Sequence, residues 1–257
     1  MTRLKETVVL VTGASAGIGR ACAEAFAAEG ASLLLAARRL DRLQTLAGDL
    51  ASRFGTKTHV FALDVRDRAG VDAAFEALPD PWKTVDILVN NAGLGRGLDK
   101  LHEGRVEEWE EMIDTNVKGL LYVTRKVVPG MVARGRGHVI NIGSLAGREV
   151  YPGGNVYCAS KFAVKALTRA LKMDLLGTPI RVSTVDPGMV ETDFSVVRFR
   201  GDQEKAAKVY QGLKALTAED IADAVVWVST RPPHVDVTEM VILPVAQASA
   251  TLAHRKG

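Results

Sequence analysis

The sequence predicts one α/β domain over residues 1–257, a doubly wound parallel sheet with helices on both faces. Three observations predict it. Short β-branched or apolar runs alternate with longer helical stretches along all 257 residues. The runs are continuously apolar, as strands covered on both faces require. A glycine-rich turn joins the first run to the first helical stretch. Right-handed crossovers make double winding the simplest closure of such a chain. No internal repeat, low-complexity tract or Pro/Gly/Ser linker marks a boundary.

The elements follow in order. Residues 8–11 read as a strand and 18–28 as an amphipathic helix. Residues 33–36 are the next strand, and 41–54 a helix with Asp41 as its N-cap. A strand at 58–63 precedes a helix at 68–77 capped by Asp67, and 87–89 is a buried strand. Residues 107–128 read as one helix with a polar Asn116 inside it. A strand at 138–142 leads to a long helix at 157–176, closed near Gly177 and Pro179. The last elements are a strand at 180–185, a helix at 219–229 and a strand at 240–243. The irregular stretch 186–201 reads as a functional loop rather than a linker.

The balance of 33 Lys+Arg against 30 Asp+Glu gives a formal charge of +3. So small an excess gives no reason to expect nucleic-acid binding. Cys22 and Cys158 form neither a CxxC pair nor a disulfide framework, which fits a reducing compartment. The charged opening residues 1–7 lack a following signal-peptide core, and no run approaches the length of a membrane span. A cytoplasmic protein is expected.

After the first strand comes Gly13-Ala14-Ser15-Ala16-Gly17-Ile18-Gly19. Its Gly-x-x-x-Gly-x-Gly spacing differs from the usual dinucleotide fingerprint, yet the physics is shared. Glycines let the backbone approach a pyrophosphate, and free N–H groups of the next helix receive it. At the end of the second strand an acidic residue would hold the ribose hydroxyl of NAD; this chain has Arg38 and Arg39. Paired guanidinium groups suit a 2′-phosphate, so NADP is predicted. Asp64 and Val65 after the third strand are placed to meet adenine. Asn91, Ala92 and Gly93 after the fourth are placed to line the groove.

Ser144 precedes Tyr157-Cys158-Ala159-Ser160-Lys161, in which Tyr157 and Lys161 stand at i and i+4 on one helix face. A free phenol titrates near about 10, and bringing it to about 7 takes roughly 4 kcal/mol. A nearby ammonium and an oxidised nicotinamide have the right sign. Ser144 can donate to a substrate oxygen.

With these motifs in hand, the chain resembles the short-chain dehydrogenase/reductase family over essentially its whole length. The resemblance implies a Rossmann-type fold and Tyr157 as general acid/base. It implies that Lys161 lowers the tyrosine pKa and holds the nicotinamide ribose. Ser144 would position the reacting oxygen, and Asn116 would complete a proton relay through water. Pro187, Gly188, Val190 and Thr192 match the segment that closes the nicotinamide pocket. The stretch 194–201 and the ending 243–247 resemble NADP-dependent 3-hydroxy acid dehydrogenases, which implies serine, allo-threonine or 3-hydroxypropionate type substrates.

A carboxylate substrate needs a cation, and Arg148, Arg198 and Arg200 lie in segments expected to border the nicotinamide. Two other readings stay open: a reductase of ketones, sugars or β-ketoacyl groups, and an inactive cofactor-sensing protein. The intact Asn116, Ser144, Tyr157 and Lys161 count against the second. Apolar residues from Phe162 to Leu171, with Val117, Leu120, Leu121 and Val123, exceed what one sheet face needs. A homotetramer is expected from the family's habit of pairing such helices. The tail 249–257 is either disordered or part of that interface. No metal ligand set is present in the sequence.

Overall fold

The first apolar run becomes the sheet's third strand in spatial order, flanked by the second and fourth strands of the sequence. In the computed structural model, which describes residues 3–256, the strands are β1 (Val8–Thr12), β2 (Ser32–Ala37), β3 (Thr58–Ala62), β4 (Ile87–Asn90), β5 (Gly137–Ile142), β6 (Ile180–Pro187) and β7 (Glu239–Ile242). They form one seven-stranded sheet in the order β3-β2-β1-β4-β5-β6-β7. Every pairing is parallel. Winding therefore reverses at β1 and β4, and the crevice beyond their carboxyl ends is where such sheets bind ligands. Met1, Thr2 and Gly257, which belong to the terminal segments considered above, lie outside the described residues.

Alternate strand residues feed opposite faces. Val9, Val11, Leu33 and Leu35 pack with α1 (Gly17–Ala28), α2 (Leu40–Phe54) and α9 (Ala218–Ser229). Leu10, Leu34, Leu88, Val139 and Val182 pack on the other face with α3 (Arg68–Glu76) and α5 (Leu120–Arg134). Each large side chain buried this completely contributes about 1.5–3 kcal/mol of transfer free energy. A third, smaller apolar cluster sits beyond the strand ends and joins Leu94, Met112, Ala146, Tyr157 and Cys158.

Several boundaries differ from expectation. Asp41 lies inside the first turn of α2, where its charge favours the helix dipole, and Arg39 is the cap position. Asp67 stands at the N-cap of α3 without a side-chain cap bond. The predicted helix 107–128 is three segments: α4 (Val106–Ile113), a π-helical turn at Asp114–Gly119, and α5, which runs through Pro129. The 186–201 stretch is not wholly irregular. It contains α7 (Phe194–Arg198) and is followed by α8 (Gln203–Lys208). The remaining helix is α6 (Asn155–Asp174).

Candidate active site

The end of β1 is built to hold its glycine loop open. Asn91 Nδ2 donates to the carbonyls of Thr12 at 2.9 Å and Gly13 at 3.3 Å. The backbone N–H groups of Asn91 and Ala92 each donate to Thr12 Oγ1 at 3.0 Å. Gly13 and Gly17 have φ of 67° and 51°, which L side chains rarely adopt. A Cβ on Gly19 would stand 2.4 Å from both Asn91 Nδ2 and the Gly13 carbonyl. Ile18 packs into the core beneath. The loop, α1 and Asn91 thus lock together, and α1 starts without a side-chain cap, as a helix end that receives an anion does.

Ser15 Oγ accepts from Arg39 Nη2 at 3.0 Å, and Arg38 and Arg39 are both exposed. Burial, then the neighbouring cation of Arg42, holds the Arg39 guanidinium below its ordinary range, while Asp193 opposes them. A cation crowded in this way is stabilised by an anion. Beside it a cleft of about 360 Å³ is lined by Ser15, Gly17, Arg20 and Arg42, and also by Asp41, Asp49 and Asp193. The glycine cradle, with the exposed Arg38 and Arg39 at its edge, fits a phosphorylated dinucleotide. Across the crevice Thr192 comes within 3.5 Å of a Cβ placed on Gly17. Val190 pairs with Leu216. Gly188 donates to the Ile242 carbonyl, and the Pro187-Gly188 turn is braced by Gln247, which accepts from Met189 N at 2.9 Å.

Asp64 and Val65, expected near adenine, also have partners within the protein. The Asp64 carboxylate is gripped by Arg66, whose Nη2 lies at 2.6 Å. Val65 is buried against the π turn, 2.6 Å from a Cβ placed on Gly119.

Tyr157, Lys161, Ser144 and Asn116 converge beyond β4 and β5. Lys161 is buried, and its Nζ donates to the Ile142 carbonyl at 2.9 Å. A Cβ on Gly93 would stand 3.6 Å from that Nζ and 3.2 Å from Asn116 Oδ1. Asn116 is buried, and its side chain is fully committed. It accepts from Leu94 N at 2.8 Å, donates to Leu94 O at 2.8 Å and donates to Ser160 Oγ at 2.9 Å. The amide therefore fixes the segment after Gly93, and a π turn at its position is the local irregularity that functional sites commonly carry.

Expectation differs in the electrostatics of Tyr157. Burial pushes its phenol up, not down; the Arg198 cation and then Ser144 act the other way. The cation nearest its ring is Arg198, 4.6 Å from the centroid, with Lys161 at 6.0 Å. Burial likewise brings Lys161 down to about 8, with Asp186 opposing.

The three candidate arginines separate. Arg148 is tied to Asp186 at 2.7 Å and Glu239 at 2.5 Å. Arg200 is tied to Glu108 at 2.6 Å and Asp99 at 2.9 Å. Both have two carboxylates of their own, so neither offers a free cation to substrate. Arg198 donates from Nη2 to the Tyr151 hydroxyl at 2.9 Å and lies over Tyr157 and Phe194. Its Nε is buried without a partner among the described residues. Gly95 gives it room, since a Cβ there would stand 3.0 Å from Nε.

This arrangement of loop, sheet crossover and Tyr/Lys pair coincides with a known pattern. The short chain dehydrogenase family matches residues 7–224. The chain belongs to that family. Among relatives of this short-chain dehydrogenase, NADP-dependent 3-hydroxy acid dehydrogenase YdfG of Salmonella typhi is 50% identical over 250 residues, 96% of this chain and 99% of that protein. The NADP-dependent 3-hydroxy acid dehydrogenase of Schizosaccharomyces pombe is 40% identical over 257 residues, 100% of this chain and 99% of its own. A solved structure described as the closed form of serine dehydrogenase complexed with NADP+ aligns with a TM-score of 0.92 at 48% identity, covering 97% of this chain and 100% of that one.

Sequence reasoning missed three groups near the chemistry of this short-chain dehydrogenase. Ser160 holds Asn116, and Tyr151 orients Arg198. Asp186 is the third, and its one visible signal was an acidic residue directly before the Pro187-Gly188 turn.

Proposed function

We propose that this short-chain dehydrogenase interconverts a small 3-hydroxy acid and its 3-oxo acid with NADP(H), and that the chain works as a single domain. The observation that carries the substrate class is Arg198: a guanidinium beside Tyr157 with a buried, unpartnered Nε. An unmet donor of that kind favours an anionic ligand. The names of the relatives, 3-hydroxy acid and serine dehydrogenases, agree with it. Ser15, Arg38 and Arg39 would hold the 2′-phosphate. Gly13, Gly17 and Gly19 would admit the pyrophosphate, with Asp64, Val65, Asn91, Ala92 and Gly93 along one side. Pro187, Gly188, Val190 and Thr192 would close the nicotinamide end.

Bound NADP supplies the hydride acceptor in oxidation and the donor in reduction. Tyr157 takes the hydroxyl proton, and Ser144 donates to the same oxygen as it gains carbonyl character. Lys161 and Arg198 favour the phenolate by charge. Asn116 holds the segment from Gly93 to Leu94 in place.

The test is a substrate panel with NADP⁺: L-serine, L-allo-threonine, 3-hydroxypropionate and a neutral secondary alcohol. The acids should turn over, and Arg198→Ala should raise their KM about 10- to 100-fold, as loss of a charged hydrogen bond does. Turnover of the neutral alcohol alone would remove the carboxylate reading and leave the Tyr/Lys chemistry standing.

The homotetramer and the cytoplasmic location are also our reading. Phe162, Ala166 and Ala170 follow one another at i, i+4, i+8 and are exposed on α6, and Leu121 is exposed on α5. Leu120 and Val123, by contrast, are core. Light scattering should give four times the chain mass. Both cysteines are buried free thiols, which suits a reducing compartment, and cell fractionation would test it. Among the described residues no helix is long and apolar enough to cross a membrane.

A further inference from the structure

Asp186 is the next-to-last residue of β6, just before Pro187, and its side chain is only 3% exposed. A carboxylate so far from water is destabilising unless paired and hydrogen-bonded. Both oxygens are satisfied. Oδ2 accepts from Arg148 Nε at 2.8 Å, and Oδ1 accepts from Thr184 Oγ1 at 2.5 Å. Arg148 reaches on to Glu239 of β7 at 2.5 Å. Arg148 is also the residue that ends the short turn Leu145–Gly147 begun by Ser144. One ion-pair chain therefore ties the catalytic serine's turn to two strands.

The same carboxylate lies against the segment that holds the lysine. A Cβ on Gly143 would stand 1.9 Å from Asp186 Oδ1, so only glycine lets the carboxylate lie against this segment. The residue before that glycine, Ile142, is the one whose carbonyl takes the Lys161 Nζ bond. Groups from several elements surround Lys161. Tyr157 shares its helix, β5 offers the Ile142 carbonyl, and Gly93 with Asn116 behind it borders the ammonium. From β6 comes Asp186, with Arg148 and Glu239 beyond it. Arg198 lies over the Tyr157 ring.

We propose that Asp186 and Arg148 are opposed positioning residues for Lys161: Asp186 supplies the buried negative charge that keeps its ammonium protonated, and Arg148 limits how much of that charge the lysine feels while pinning the Ser144 turn. Neither touches the reacting atoms. The proposal rests on the reading of Lys161 as a cation that holds the nicotinamide ribose. Direction agrees with charge, since burial lowers the Lys161 pKa to about 8 and the Asp186 carboxylate acts against it.

The experiment measures NADPH binding against pH by nicotinamide fluorescence in a Tyr157→Phe background, where the phenol no longer titrates. Binding should weaken as pH rises through the Lys161 pKa. Asp186→Asn should move that midpoint down by about half a unit to one unit, because the ammonium loses its counter-charge. Arg148→Met should move it up by a similar amount, because the carboxylate is then unopposed, and Arg148→Lys should restore it. If Asp186→Asn does not fold, Glu239→Gln takes its place. With Glu239 neutral, Arg148 screens Asp186 more fully, and the midpoint should fall. Variants that lose affinity without moving the midpoint, or that all move it one way, would overturn the proposal and leave Lys161's role intact. A parent whose binding does not change between about pH 6 and 10 would instead remove the ribose-holding role, and this proposal with it.

Discussion

At the scale of single residues, the chemistry depends on which cation stands where. Tyr157 and Lys161 share a helix face, as their spacing requires, yet the guanidinium closest to the phenol belongs to Arg198 from a different segment. On the function proposed here, acid/base tuning and carboxylate recognition would share one side chain. At the other end of the crevice, Arg38 and Arg39 stand at the close of β2 with no acidic residue between them and Leu40. Arg38→Ala and Arg39→Ala should each weaken NADP⁺ binding and narrow the preference for NADP⁺ over NAD⁺, roughly tenfold or more for one lost charged hydrogen bond. Comparing kcat/KM for the two cofactors checks it. Unchanged preference in both variants would shift 2′-phosphate recognition to Ser15 and Arg42. The Tyr157→Phe variant should lose turnover while still binding NADPH, read by the same fluorescence signal.

At the scale of elements, two glycines on adjoining helices make a paired test. Gly19 opens α1 where a Cβ would collide with Asn91 and the Gly13 carbonyl. Gly19→Ala should lower stability by about 1–3 kcal/mol and weaken cofactor binding, since the loop itself must shift. Gly48 lies exposed inside α2, with nothing within 4 Å of its added Cβ. Gly48→Ala should raise stability by about 0.5–1 kcal/mol without touching cofactor affinity. Urea unfolding and fluorescence titration of the two variants separate cradle from helix. The capping box at Thr217 and Asp220 fixes the start of α9, and its Thr-x-x-Asp pattern lay in view in the sequence. The π turn at Asp114–Gly119 was not visible there, because one residue of extra winding barely disturbs an amphipathic pattern.

At the scale of the whole molecule, segments far apart in sequence frame one pocket. Arg96 joins Glu111 to the Val197 carbonyl, and Arg200 joins Asp99 to Glu108, so the stretch carrying Arg198 is held against α4 and the segment after β4. The tail completes the frame. Ala250 N donates to Glu149 Oε2 at 2.7 Å, and Lys256 N donates to the Gly212 carbonyl at 2.8 Å. Among the described residues the tail, 249–256, packs on its own chain through these contacts. Removing the chain from Ser249 onward should raise KM for acid substrates several-fold, because it frees both the Glu149 turn and the loop at Gly212 that follows α8. Steady-state kinetics beside a thermal melt would test this, and a truncated enzyme with parental KM would show that the tail has no such part.

The sequence by itself determined the sheet, the glycine loop and the Tyr157–Lys161 pair, since each follows from local pattern: apolar runs, backbone freedom and helical spacing. Tertiary structure alone decided among Arg148, Arg198 and Arg200. All three are charged residues in irregular or short helical segments, indistinguishable by pattern. They separate only when the fold supplies Asp186 and Glu239 to one, Asp99 and Glu108 to another, and an aromatic wall with an unmet Nε to the third. The direction in which Tyr157 shifts was likewise beyond sequence reading. Proximity of a lysine at i+4 is local, whereas burial is a property of everything packed around the ring, and for this phenol burial is the larger effect.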